Sequence, residues 1–223
     1  MFNTVSVGAR LPQALLALLP EYAAELDYRQ SWLAAFTELL CPLLFLCVPI
    51  LTAAASASYA FVTERESGTL ETLLLTSMDV KAVFHAKVTN CTLLSVVISA
   101  LAFVAYGITT VIAEVFAGVP LFFNFDWLIL LVLLMPALSL FSVVFVALTV
   151  TRVHSTGESL QTMGYLILPV AALYLAQLTG IFRLNMVALL IAAAVLAAAD
   201  VVLFNMASRS FTPEKLLAEE EGE

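Results

Sequence analysis

The sequence predicts an all-α fold: a polytopic bundle of about five transmembrane helices. Two compositional facts and one pattern carry that expectation. Of the 223 residues, 62% are hydrophobic and only 12% charged, whereas soluble domains are about half apolar and about a quarter charged. Mean hydropathy is +1.04. The apolar residues also fall in charge-poor runs that are long enough to cross ~30 Å of hydrocarbon, which takes ~20 helical residues. A water-soluble fold of this length has no interior large enough for so much apolar surface, so the solvent is expected to be lipid.

The runs are placed in order as follows. Leu39 to Thr63 is the first, entered from Trp32. Val88 to Ala113, Trp127 to Thr151 and Ser159 to Phe182 follow. Leu184 to Ser208 is the fifth, interrupted only by Asp200. Each is apolar all round, which separates it from an amphipathic surface helix. Pro42, Pro49, Pro136 and Pro169 fall inside spans and are expected to kink them. Ala53, Ala57 and Ala60 form one small-residue stripe on span one, and Ala54 and Ser58 another. Such stripes let helices approach closely, within a bundle or at a subunit interface.

Orientation follows from the basic residues. Arg65, Lys81, Lys87, Arg152, Arg209 and Lys215 fall on one side of this arrangement, and Arg10, Arg29 and Arg183 on the other. The excess places the first group in the cytoplasm of a plasma-membrane protein. Residues 1–31 are then extracytoplasmic, 32–208 form the transmembrane domain, and 209–223 form a cytoplasmic acidic tail. That tail ends in Glu219, Glu220, Glu221 and Glu223 and reads as solvated. Trp32 and Trp127 fall at the outer boundary, where interfacial tryptophan is favourable. Leu11 to Leu19 is too short to span and reads as a tail or a re-entrant segment.

Several function classes find no support. No basic cluster suggests nucleic acid as a partner. Cys41, Cys47 and Cys91 have no metal-ligand spacing and read as buried thiols. His85 and His154 flank loops without acid or thiol partners and read as headgroup-level residues. No nucleophile–base pair or acid dyad is visible, so the chain is not expected to be an enzyme. Two acids stand inside spans. Asp200 lies nine residues before Arg209, and an ionised Asp at a helix centre costs about 2.5–3.5 kcal/mol on insertion scales. It is expected to face the bundle or a wet cavity, with either a structural or a transport-path role. Glu38 lies six residues beyond Trp32, near the outer surface.

The segment between spans one and two is the informative one. Thr63 and Glu66 have capping-box spacing, and Gly68 permits a sharp turn. Leu70, Leu73, Leu74 and Met78 then recur on one helical face, with Thr69, Thr72 and Thr76 opposite. The pattern predicts a short amphipathic helix along the membrane surface over 64–78. Asp79 is placed to cap a further helix leading through Lys87 into span two. From pattern alone, this element is either an anchor for the loop or a docking site for a soluble partner.

Glu64, Arg65, Glu66, Gly68, Thr69, Leu70, Glu71, Leu73 and Leu74, followed by Lys87, resemble the coupling element of ABC-2 permeases, the membrane subunits of type-two ABC exporters. Ser155 to Gln161 with Pro169, and Phe211, Pro213, Glu214, Lys215 and Leu216, are similar to segments of the sodium-efflux and peptide-export permeases of that family. The resemblance covers residues ~34 to 217. It departs at Thr76-Ser77, where Thr-Pro is common, and at Ala86, where glycine is common. The family's usual first span has no counterpart, and the chain begins in the outer loop that would follow it.

The resemblance implies a membrane-spanning permease subunit of an ATP-driven exporter. Residues 64–78, including Met78, would contact separate ABC ATPase subunits, and a second permease copy or a homologous permease would complete the pathway. No P-loop occurs in the chain. ATP and magnesium are therefore expected on the partner ATPase, with no cofactor bound here. The residues themselves leave two alternatives: an ion or solute carrier working without ATP, and a non-transporting membrane scaffold or immunity protein.

Overall fold

The computed structural model describes residue 19 and residues 27–63, 80–117, 125–149, 156–179 and 186–210. Every element among them is helical. The chain enters through α1 (Tyr28–Ala35), a π turn over Phe36–Leu40, α2 (Cys41–Ala57) and a second π turn over Ser58–Val62. After residues 64–79 come α3 (Val80–Ala117), α4 (Phe125–Ile129), a third π turn over Leu130–Leu134 and α5 (Met135–Thr149). The last two helices are α6 (Thr156–Leu178) and α7 (Met186–Ser210). Within these, Leu44–Val62, Lys81–Ala113, Trp127–Thr149 and Val187–Ser208 are long and apolar enough to cross a membrane. This is a helical membrane protein.

The first helix starts where the sequence supplies a cap. Asp27 is extended (φ −61°, ψ 156°). Its backbone N–H donates to Gln30 Oε1 at 3.1 Å, while Ser31 Oγ donates to the Asp27 carbonyl at 2.9 Å. Two of the π turns have a common cause. Cys41 N–H reaches back five residues to the Phe36 carbonyl, and Met135 N–H reaches Leu130 in the same way. Each of these residues precedes a proline, Pro42 or Pro136. A proline ring clashes with the carbonyl four residues back, and opening the turn by one residue relieves the clash while keeping the neighbouring N–H bonded. The sequence predicts kinks at these prolines; the structure takes them up as π turns.

α2 is the centre of the bundle and packs against α3, α5 and α6, while α7 packs chiefly against α5. Ala53, Ala54, Ala57 and Ser58 are completely buried. The small-residue stripes of span one therefore serve the chain's own packing, and no subunit interface is needed to explain them. Contacts along α2 and α3 fix their antiparallel pairing. Phe45 meets Phe103 and Tyr106 at one end, and Phe61 meets Phe84 at the other. Trp127 joins Phe45, Phe103 and Tyr106 at ring separations of 5.3–6.0 Å. Trp127 is thus buried, not turned toward the headgroups as its position predicts, whereas Trp32 is exposed. The ring cluster offers edge-to-face partners that a lipid-facing indole lacks.

α3 begins by Val80, seven residues before Lys87. The helix expected to lead through Lys87 and span two itself are one continuous helix, with Lys87 inside it. Asp79, the expected cap, lies outside the described residues, as do His154 and residues 1–18.

Candidate functional site

In lipid, a hydroxyl finds no water to bond to, so its first partner is its own helix. Ser58 donates to the Ala54 carbonyl at 2.8 Å, Ser142 to Leu138 at 2.8 Å and Ser139 to Met135 at 2.9 Å. At mid-bundle the hydroxyls also cross between helices. Thr52 Oγ1 lies 2.8 Å from Ser95 Oγ, which lies 3.0 Å from Ser139 Oγ and donates to the Pro49 carbonyl at 3.0 Å. This ties α2, α3 and α5 at one depth. Its signal in the sequence is the run of polar residues Thr92, Ser95 and Ser99 on one face of an otherwise apolar helix. Sequence reading passed over that stripe.

The loop end of the bundle is held by a second set of contacts. Lys87 Nζ donates to the Ala60 carbonyl at 3.2 Å and lies 5.5 Å from the centre of the Phe61 ring. A cation over an aromatic face is attractive, more so when partly desolvated. Phe61 also packs on Phe84 at 5.9 Å. The end of span one and the start of span two are thus adjacent, and residues 64–79 connect them. His85 stacks on Phe204 at 5.2 Å, and its Nε2 lies 3.4 Å from Ser208 Oγ. α7 therefore ends at this same face of the bundle.

The expected coupling residues, Glu64, Arg65, Glu66, Gly68, Thr69, Leu70, Glu71, Leu73, Leu74 and Met78, lie outside the described residues. The backbone of Glu38 falls in the π turn Phe36–Leu40; its side chain is outside them. Asp200 is described. It is only 4% exposed, and its Oδ1 has no hydrogen-bond partner. It faces the bundle, as the cost of exposing a carboxyl to lipid requires. Its place on α7 follows a seam: Leu189, Ala193, Asp200 and Ala207 are all buried, with Leu196 and Leu203 packed beside them. That spacing is the seam of a coiled-coil-like contact. Cys41 and Cys91 are buried, Cys47 is half-buried, and all three are free thiols. Among the described residues no three or more His, Cys, Asp or Glu converge.

What the arrangement provides is mechanical. A central helix is bonded to two neighbours at mid-membrane and to one of them again at the loop end. No family model, curated protein or solved structure matches the chain.

Proposed function

We propose that this chain is the membrane-spanning permease subunit of an ATP-driven ABC exporter, with five spans forming half of a translocation pathway. The observation that carries the reading is the ordered run Glu64, Arg65, Glu66, Gly68, Thr69, Leu70, Glu71, Leu73 and Leu74, placed between two helices whose loop-side ends pack together. α6, 23 residues long, supplies the remaining span in this reading. The loop side faces the cytoplasm of the plasma membrane, as does the C-terminus, because that side carries most of the basic residues.

In this mechanism the partner ATPases close on ATP and push residues 64–78. The push enters the end of span one at Val62 and the start of span two at Val80. Because α2 touches three other helices, a tilt of α2 repacks the bundle and alters access to a cavity shared with a second copy. The apolar side of the coupling element, Leu70, Leu73, Leu74 and Met78, anchors the ATPase, and Glu64, Arg65, Glu66 and Glu71 orient it. Anchors dominate such contacts and rim charges contribute less. The test is co-purification of the ATPase with substrate-stimulated ATP turnover. Leu73→Asp with Leu74→Asp is expected to abolish both, and Glu64→Gln to leave most of each. Unchanged co-purification and turnover in the double variant would reduce the segment to a surface anchor and remove the main support for an exporter.

A carrier working without ATP is the second reading. The observation favouring it is Asp200, a carboxyl inside a span with an unpartnered oxygen.

A further inference from the structure

Asp200 is not alone in lacking a partner. Thr92 Oγ1 and Ser99 Oγ on α3 are likewise buried without a hydrogen bond. In most proteins such atoms are few, and each calls for an explanation. In hydrocarbon the cost of leaving them bare is larger still, because no water stands by.

The register of α3 against α7 brings two of these atoms to one level. His85 meets Ser208 and stacks on Phe204, so the two helices run antiparallel. Thr92 lies seven residues beyond His85 on α3, which is two turns and the same face. Asp200 lies eight residues before Ser208 and four before Phe204 on α7. Climbing from the His85–Ser208 contact therefore reaches Thr92 after about 10 Å and Asp200 after about 12 Å at 1.5 Å per residue. Thr92 and Asp200 thus lie at about one depth on two helices that meet at the His85–Ser208 end, each with a buried oxygen that no protein group satisfies.

We propose that Asp200 and Thr92 form an intramembrane site for a single positive charge, taken as a proton or a small alkali cation. The donors are hard oxygens, which suit such cations and not soft metals. One carboxylate balances one positive charge, which offsets part of the cost of burying the anion. Other charges do not compete for it. α5 and the π turn Leu130–Leu134 contain no titratable group. Asp126 of α4 belongs to the opposite end. On α3, Lys81 and Glu114 lie near the two ends, Lys87 is engaged with Ala60 and Phe61, Cys91 is buried, and Tyr106 belongs to the ring cluster. His85 is the group turned toward α7, two turns from Thr92. The site stands whether or not an ATPase drives the chain.

Infrared difference spectroscopy of the full chain in liposomes, wild type minus Asp200→Asn, tests this. The carboxyl C=O band of Asp200 is expected to convert to the carboxylate pair as pH rises. Conversion that ignores lithium, sodium and potassium chloride relative to choline chloride identifies the proton as the ligand. A midpoint displaced at least tenfold in proton concentration by one of the alkali salts identifies a competing alkali cation. Thr92→Val is expected to displace the midpoint as well. If Asp200→Asn fails to fold, ¹³C-aspartate in an Asp27→Asn, Asp79→Asn, Asp126→Asn background leaves Asp200 as the sole labelled side-chain carboxyl. A band fixed in one form at every pH and in every salt overturns the site. A midpoint unmoved by Thr92→Val overturns its two-helix construction.

Discussion

Spans one and three differ from spans two and five in how they meet their surroundings. The most apolar windows of Leu44–Val62 and Trp127–Thr149 are each 56% buried, against 11% for Lys81–Ala113 and 17% for Val187–Ser208. All four are apolar enough to cross a membrane, so apolarity does not decide which helix is central. Side-chain size and polarity do. Toward its C-terminal end the buried side of span one is built from Ala53, Ala54, Ala57 and Ser58, with Phe45, Leu46 and Ile50 buried earlier in it, while the outward side of α3 carries Leu93, Leu94, Val97, Ile98, Leu101 and Val104. Lipid tails are as apolar as leucine, so helices gain little by hiding large aliphatic groups from them. They gain by close backbone approach and by pairing hydroxyls.

The first way to break this contrast is to enlarge a central small residue. Ala54 has no exposed surface and lies within the main core cluster. Ala54→Leu is expected to cost about 1–3 kcal/mol through overpacking, read as an earlier midpoint of unfolding in mixed detergent micelles. If Ala54→Leu is silent, α2 is not the packed centre.

Much of this architecture is legible in the sequence, and the illegible part has physical reasons. The spans can be read from charge-free runs: the expected Leu184 to Ser208 overlaps the helix Met186–Ser210, and the expected Trp127 to Thr151 is helical through Thr149, the last described residue there. The inward face of each span is not legible from hydropathy, because a helix apolar all round has no amphipathic stripe. The π turns are hidden because proline announces a disturbance without stating its form. Trp127 misleads because an indole at the boundary is satisfied by a headgroup or by Phe45, Phe103 and Tyr106, and only tertiary packing chooses. Asp200 is the easiest of the site residues to find, since a lone acid in a span has to turn inward. Its neighbour Thr92 is harder, because a hydroxyl in a membrane helix is usually bonded to its own backbone, as Thr109 and Thr149 are.

A smaller effect is expected at the mid-bundle hydroxyls. Ser95 bonds to Thr52, Ser139 and the Pro49 carbonyl. Membrane hydrogen bonds average about 0.6 kcal/mol and reach about 1.7, because the unfolded chain in lipid also finds partners. Ser95→Ala is expected near the upper figure, since it leaves Thr52 and Ser139 without their cross-helix partner. Thr52 and Ser139 each keep a bond to their own helix, which limits the loss. A double-mutant cycle of Ser95→Ala with Ser139→Ala measures the shared part, and strict additivity would mean that the cross-helix bond contributes nothing.

The smallest effect is expected on the outward face of α3. Leu101 is 64% exposed in this chain, and in a bilayer its neighbours are acyl chains. Leu101→Ala removes a few methyl groups from contact with lipid that is itself apolar, and it opens no cavity because lipid fills the space. The change in stability is expected within about 0.5 kcal/mol, the range of substitutions away from packed features. The same substitution also reports on assembly. If a second copy covers this face, truncation leaves a void between two protein surfaces that lipid cannot enter, and the cost rises toward that of a core truncation. Measured in dilute detergent and again in proteoliposomes, a silent Leu101→Ala in both places α3 against lipid. A cost that appears only where copies associate places α3 at the interface between them.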